Sequence, residues 1–308
     1  MARHTQRHEA NPKAAEATFG IEIECFLPRG CVRVGAYHAG AELGGRFPAG
    51  WNAQRDGSLR TTLRGYEGVE IVSPVLRGRD GLEQVRRVAA LLQELGARVN
   101  RTCGLHVHVG ATSVAGHDFD DVADWVRRLI NATAQHEKAL YGAAGTRSRE
   151  NGSYCRSIKR GWGEKKARLK QKKMKAEALR QDAAGIGRYH SLNIEPLFSR
   201  RRTVEFRCFS GTASALKMTA WIQMALALAT LALERDTQFD APATTYADTE
   251  TAVGAMRRFF YLVGWTRGRK DYQKPVCLAE GWVDDMDALK AAKRELMRLA
   301  KRYDTQTA

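Results

Sequence analysis

Four short stretches set carboxylates, imidazoles and a guanidinium at alternate positions of apolar runs. In a strand successive side chains point to opposite faces. In TFGIEIECF, Glu22 and Glu24 therefore share one face, and Ile21, Ile23 and Cys25 the other. GLHVHVG does the same with His106 and His108, and TVEFRCF with Glu205 and Arg207. In GVEIVSP a single Glu70 interrupts an apolar run. A carboxylate withdrawn from water costs several kcal/mol unless a cation compensates it, so a paired-Glu face points to a divalent metal. Each strand alone also fits a half-exposed sheet with a solvated face. Four of them together predict a sheet with a chemical face.

The elements that must position these residues follow from periodicity. Asp80 opens a helix over 80–95, with Leu82, Val85, Val88, Ala89, Leu92 and Leu95 at helical spacing and Gly96 as its stop. A short strand over 97–100 precedes the His106 strand, and a second helix runs over 118–141. The stretches 189–197 and 202–209 predict a hairpin, with Tyr189, Ser191, Asn193 and Glu195 on one face of its first strand. Helices are expected over 213–234, 249–263 and 284–303, with Trp125, Trp221 and Trp282 in the core. Asp56-Gly57-Ser58 carries a turn signature, and Asp56 is also a carboxylate shortly before the Glu70 strand. Strands in groups, with helices between them and no regular βαβ alternation, predict an α+β fold around a mostly antiparallel sheet flanked by helices.

At 308 residues and 44% hydrophobic, the chain can bury a sizeable core. Residues 1–17 read as a loose polar lead-in, and 18–308 as one domain interrupted by a basic insertion at about 156–180. The net charge of +16 favours polyanionic partners. The insertion holds eleven Lys and Arg against two Glu, with Lys165, Lys166, Arg168, Lys170, Lys172 and Lys173 at its centre. It shows almost no apolar stripe, which predicts either a solvated excursion or a polyanion-binding segment. The apolar run 218–233 is short for a membrane span and reads as a buried core helix. Six cysteines without zinc-type spacing, and no cleavable signal, predict reduced thiols in a cytoplasm and no membrane association.

The ordered series GIEIE, DGS, VEIVSP, CGLHVHV, Tyr-x-x-Leu-Asn and TVEFRCFSGT resembles the amidoligase family, which is related to glutamate-cysteine ligase and glutamine synthetase. The resemblance covers residues 19 to about 212. It implies an ATP-dependent carboxylate-amine ligase whose curved sheet forms a glutamine-synthetase-like funnel. A carboxylate is phosphorylated there by ATP with two Mg²⁺ ions, and an amine displaces the phosphate. By the same resemblance, Glu22, His106 and Glu205 match the ligands of the metal at the ATP phosphates, and Glu24 and Glu70 match those of a second metal beside the acceptor carboxylate. Arg207 matches the arginine that stabilises the transferring phosphoryl group. Asp56 would supply a further ligand or position the amine, with Glu67 competing for that place. His108, Arg188, Tyr189 and Asn193 are candidates for substrate or nucleotide contact.

Two other readings compete. A zinc hydrolase would build on His106-x-His108, although the only later histidines are His117, His136 and His190. A nucleic-acid-binding or nucleic-acid-modifying protein would use the 156–180 segment, a role compatible with ligase activity.

Overall fold

The computed structural model describes residues 17–236, 251–265 and 286–306. The lead-in up to residue 16, Cys277, Trp282 and the first residues of the helices expected at 249 and 284 lie outside them. The architecture is α+β. Eight strands, β1 (Thr18–Pro28), β2 (Ala41–Glu42), β3 (Asn52–Arg55), β4 (Tyr66–Val72), β5 (Leu76–Arg77), β6 (Gly104–Gly110), β7 (Leu192–Asn193) and β8 (Thr203–Ser210), form one open sheet. Its order is β2-β3-β4-β1-β6-β8-β7, with β5 beside the start of β1, and every strand pair is antiparallel. The longest strand, β1, lies near the middle, so each of its neighbours must match its alternation of polar and apolar side chains.

The apolar face of the sheet carries Ile21, Ile23, Val69, Ile71, Leu105, Val107, Val204 and Phe206, each at most 1% exposed. Helices cover it: α1 (Gly78–Glu94), α2 (Ala111–Ala115), α3 (Phe119–Ala144) and α7 (Ala215–Glu234), with α7 against β6 and α3 against β8. Each such aliphatic or aromatic residue contributes about 1.5–3 kcal/mol by leaving water. Asp118 caps α3 by accepting from the Asp120 and Asp121 amides at 2.8 and 3.0 Å, and Gly145, at φ 69°, ends it. The Trp125 and Trp221 indoles donate to the Ala229 and Ala143 carbonyls, both at 2.9 Å, and lock α3 to α7. One helix among the described residues, α7, is long and apolar enough to cross a membrane, but its residues from Met218 to Ala232 are buried inside this core. Helices α8 (Ala252–Leu262) and α9 (Met286–Asp304) pack against α3.

Several expectations are corrected. Residues 97–100 form no strand; Arg98 makes one isolated bridge to Phe26, because a four-residue polar stretch offers little else to pair. The strand expected over 189–197 shrinks to β7, and a 3-10 turn over Glu195–Phe198 follows. Pro196 has no amide hydrogen to continue a ladder. Strand β3 was not foreseen, since its alternation spans only four residues. The basic insertion is neither a solvated excursion nor one polar helix. It folds as α4 (Ile158–Trp162), a 3-10 turn (Gly163–Lys165), α5 (Lys166–Leu169) and α6 (Ala176–Ala184), and buries Ile158, Trp162, Leu169, Met174 and Leu179. Those anchors are spread over short helices, so no continuous stripe marks them in the sequence.

On α3, His136 is buried with its ring edge-on to Phe259 at 5.6 Å. Burial, with Arg258 and Arg235 nearby, pushes its pKa down to about 3. Below pH 6.5 the unfolded chain therefore takes up a proton that the folded protein refuses. Stability is full above that pH and falls on acidification by about 1.4 kcal/mol per pH unit for this group. Urea denaturation of wild type and His136→Gln at pH 6.5 and 5 should show the shallower pH slope in the variant.

Candidate active site

The strand registers carry the polar residues into rows across one face. Gln54 on β3 faces Glu70 on β4, which faces Glu24 on β1. Glu22 faces His106 on β6. His108 faces Glu205 on β8, which faces Asn193 on β7. Glu22, Glu24, Glu70, His106, His108, Glu205 and Arg207, contributed by four strands, are thus brought together, all 9% exposed or less. They lie on or beside the floor of a cleft of about 1130 Å³ that the helical layer does not cover.

The contacts are dense. The His106 Nδ1 is 3.2 Å from carboxylate oxygens of both Glu22 and Glu205, and its Nε2 is 3.6 Å from Glu24. His108 sets Nε2 3.3 Å from Glu22 and Nδ1 3.0 Å from the Thr203 hydroxyl. Arg207 donates from Nη1 to Glu205 at 2.5 Å and from Nε to the Tyr154 carbonyl at 3.3 Å. Asn193 donates to the other Glu205 oxygen at 2.6 Å. Glu24 accepts from the Gly104 amide, and Glu70 from the Gln54 side chain.

These surroundings separate the carboxylates electrostatically. Burial raises the Glu22 pKa, but hydrogen bonding to His106 and His108 outweighs it and holds Glu22 well below the usual carboxylate range. Glu205 is likewise lowered: Arg207 and the two histidines overcome its burial. Glu70 has no cationic neighbour of that kind. Burial, with Glu22, Glu24 and Asp56 around it, raises it to about 8 despite the Gln54 hydrogen bond. A buried carboxylate that prefers a proton at neutral pH is a place where a divalent cation would stand in for that proton.

Three groups of donor atoms lie within 4.8 Å of one another: Glu22, Glu70 and His106; Glu22, His108 and Glu205; and Glu24, Asp56 and Glu70. These oxygen-rich sets suit a hard ion such as Mg²⁺ rather than zinc. His106 and His108 fall in different groups, so the pair does not form one zinc site. Of the later histidines, His117 is exposed, His136 is buried on α3 and His190 bonds the Gly187 carbonyl; none lines the cleft.

Asp56 stands in a turn and at the cleft at once. Its carboxylate accepts from the Ser58 amide at 2.6 Å in a turn, and it also faces the cleft with Glu24 and Glu70. Glu67 is not among the residues lining the cleft. Arg188 and Tyr189 form part of the rim, the guanidinium 5.4 Å from the ring. Lys165, Lys166, Arg168, Lys170, Lys172 and Lys173 lie away from it. Lys165 and Arg168 pair with the buried Asp182 at 3.8 and 3.2 Å. Sequence reasoning missed Gln54, Arg149 and Arg201. Gln54 stands two residues before Asp56 and carries a recognisable alternation. Arg201, which reaches Glu22 at 3.1 Å, and Arg149 come from loops with no periodic signal.

A family profile described as "Putative amidoligase enzyme" matches residues 15–229, well over half of the chain. The chain belongs to this amidoligase family. No curated protein matches it. Among solved structures, it aligns with the crystal structure of a bifunctional glutathione synthetase from Pasteurella multocida at 11% identity and a TM-score of 0.42. That alignment covers 95% of this chain and 52% of the other, so the amidoligase spans about half the length of that protein. A likeness so distant carries no argument about activity.

Because the folded Glu70 keeps its proton up to about pH 8 while an unfolded Glu releases it near 4.5, this residue's stabilising contribution is lost as pH rises between those values. In metal-free buffer at pH 8, Glu70→Gln should therefore be more stable than wild type by about 1–3 kcal/mol. It should also lose most of the thermal stabilisation that Mg²⁺ gives wild type. Differential scanning fluorimetry with and without MgCl₂ measures both effects.

Proposed function

We propose that this amidoligase is an ATP-dependent carboxylate-amine ligase working through an acyl phosphate, with the curved sheet serving as a glutamine-synthetase-like funnel. The observation that supports this best is the convergence of four buried carboxylates, two histidines and a buried arginine on one cleft large enough for a nucleotide and a second substrate. Membership of the amidoligase family supports the same reaction class. ATP and an acyl phosphate present several anionic oxygens, and Mg²⁺ would supply the charge neutralisation that brings them against acidic side chains.

In this reading Glu22 and Glu205, with His106 and His108 beside them, would hold a cation that neutralises the nucleotide phosphates. Glu24 and Glu70 would hold a second one that neutralises the carboxylate to be activated, with Asp56 completing that set or positioning the amine. Arg207, fixed between Glu205 and the Tyr154 carbonyl, faces the γ-phosphoryl group as a carboxylate oxygen bonds to it and ADP departs. The amine then attacks the acyl carbon, the C–O bond to phosphate breaks and phosphate leaves, and the proton on the attacking nitrogen passes to a nearby carboxylate such as Asp56. Arg188 and Tyr189 contact nucleotide or substrate at the rim, and Asn193 does so from the floor beside Glu205.

ADP release screened over amines and carboxylates should need both co-substrates together. Glu22→Gln and Arg207→Ala should each lower the rate about a hundredfold or more. Undiminished turnover in either variant would remove that residue from the mechanism.

A second role for the 156–180 segment rests on its anchoring. Ile158, Trp162, Leu169 and Met174 are buried beneath exposed Lys170, Lys172 and Lys173, so the lysines are displayed rather than trailing. Such a surface suits a polyanion, including nucleic acid bearing the acceptor group. Binding to single-stranded DNA at 50 mM salt should weaken steeply by 200 mM and be largely lost when these three lysines become Gln.

A further inference from the structure

Arg149 lies in the loop between α3 and α4 and is 7% exposed. Its guanidinium rests directly on Gly104: a Cβ at that glycine would stand 2.8 Å from Nη2 and 3.2 Å from Nη1. The same position is 3.2 Å from the His106 Nε2, and the Gly104 amide donates to Glu24. The guanidinium therefore sits at the edge of the Glu24, Asp56 and Glu70 group. Only one of its hydrogen bonds is accounted for, from Nη2 to the Arg207 carbonyl at 2.6 Å. Its Nε is buried without a partner, and no carboxylate lies within ion-pair distance among the described residues.

A buried cation without a counterion costs several kcal/mol, and an Arg fork aimed into a cleft matches an oxyanion in two-point geometry. Two more arginines line the same cleft beside it, Arg101, three residues before Gly104, and Arg60, whose backbone amide donates to Thr102 Oγ1 at 3.3 Å. Neither has an ion-pair partner among the described residues. The cleft thus holds guanidiniums that no carboxylate neutralises at ion-pair distance among the described residues, and Arg149 is the buried one of the three.

We propose that Arg149, assisted by Arg101, binds a second anionic group on the acceptor substrate, so that the acceptor carries a carboxylate or phosphate in addition to the carboxylate that is activated. This rests on the ligase reading for what is activated, but the anion subsite exists whether or not that reading holds. Its chemistry is a carboxylate or phosphate oxyanion. Gly104 belongs to the subsite because any side chain there would displace the guanidinium.

The test is calorimetric binding to the Mg²⁺-loaded full chain without nucleotide, using glutarate, acetate and inorganic phosphate as probes. Glutarate should bind at least tenfold more tightly than acetate if the second group is a carboxylate, and phosphate should do so if it is a phosphate. Arg149→Met should remove that advantage, with Arg149→Lys restoring part of it. Should Arg149→Met fail to fold, Arg101→Gln, on an exposed position, should still weaken the favoured probe at least threefold. Equal binding of all three probes, or an unchanged preference in the Arg149 variants or in Arg101→Gln, would overturn the proposal. An ADP-release assay separates the two readings: turnover with a monocarboxylate acceptor and an unchanged KM in Arg149→Lys would leave the ligase standing and the subsite refuted. Tight, Arg149-dependent glutarate or phosphate binding without any turnover would do the reverse.

Discussion

Everything at this site follows from setting four carboxylates side by side under conditions that penalise them. The strand β1 holds Glu22 and Glu24 two residues apart, and its register brings Glu70 directly opposite Glu24 on one side and His106 opposite Glu22 on the other. Like charges opposed on a sheet repel, and burial multiplies the penalty. The protein answers unevenly. Glu22 and Glu205 are given histidines and Arg207 as neighbours and stay ionised, while Glu70 is given only an amide and other carboxylates and keeps its proton. The stable arrangement without a ligand is therefore incomplete in charge on the Glu70 side. That asymmetry separates a half of the cleft already balanced by protein cations from a half that calls for external ones.

The hydrophobic layer makes such an arrangement tolerable. The apolar face of the sheet is committed to the helical layer, with α1 against β5, α3 against β8 and α7 against β6, and two indole-to-carbonyl hydrogen bonds tie α3 to α7. A large apolar core supplies stability that a charged cluster withdraws, the usual division between scaffold and site. The bundle also supports the loops that form the cleft rim. Glu137, buried on α3, accepts from the Ser157 hydroxyl, the Ile158 amide and the Ser191 hydroxyl, which fixes the chain on both sides of the basic insertion.

The parts of the fold that were legible in the sequence are those with long, uniform alternation. The strands bearing Glu22, Glu70, His106 and Glu205 announce themselves because polar residues at every second position of an apolar run are improbable on a buried sheet. The helices over 80–95 and 118–141 were visible through their 3.6-residue spacing and that over 213–234 as an apolar run, and the structure moves their limits by no more than a few residues; the cap expected of Asp80 is not made, because the helix already starts at Gly78 and Asp80 lies in its first turn. What escaped has no periodicity to offer. β3 is four residues long and becomes a strand beside the open edge of β4, while the strand expected over 189–197 keeps only the two residues of β7 beside β8. Arg149 and Arg201 enter the cleft from loops whose path is set by distant packing. The anchors of the basic insertion were hidden because each short helix supplies only one or two of them.

Where β6 meets β8, the pairing steps from Leu105 opposite Phe209 to Val107 opposite Phe206, so β8 carries one more residue than its partner between those points. The surplus falls at Arg207 and Cys208, and the Arg207 backbone is satisfied from outside the ladder, its amide by the Ser191 carbonyl and its carbonyl by Arg149. This irregularity is a phase change in the weave. It lets Phe206 and Phe209, an odd number of steps apart, both turn toward the helices while Glu205 and Arg207 stay on the opposite side. A shortened chain that had lost this one residue would still thread as a sheet, but its terminal half would present oil where the cleft needs charge. Length variation among related chains should accordingly collect in the connecting loops and spare this strand.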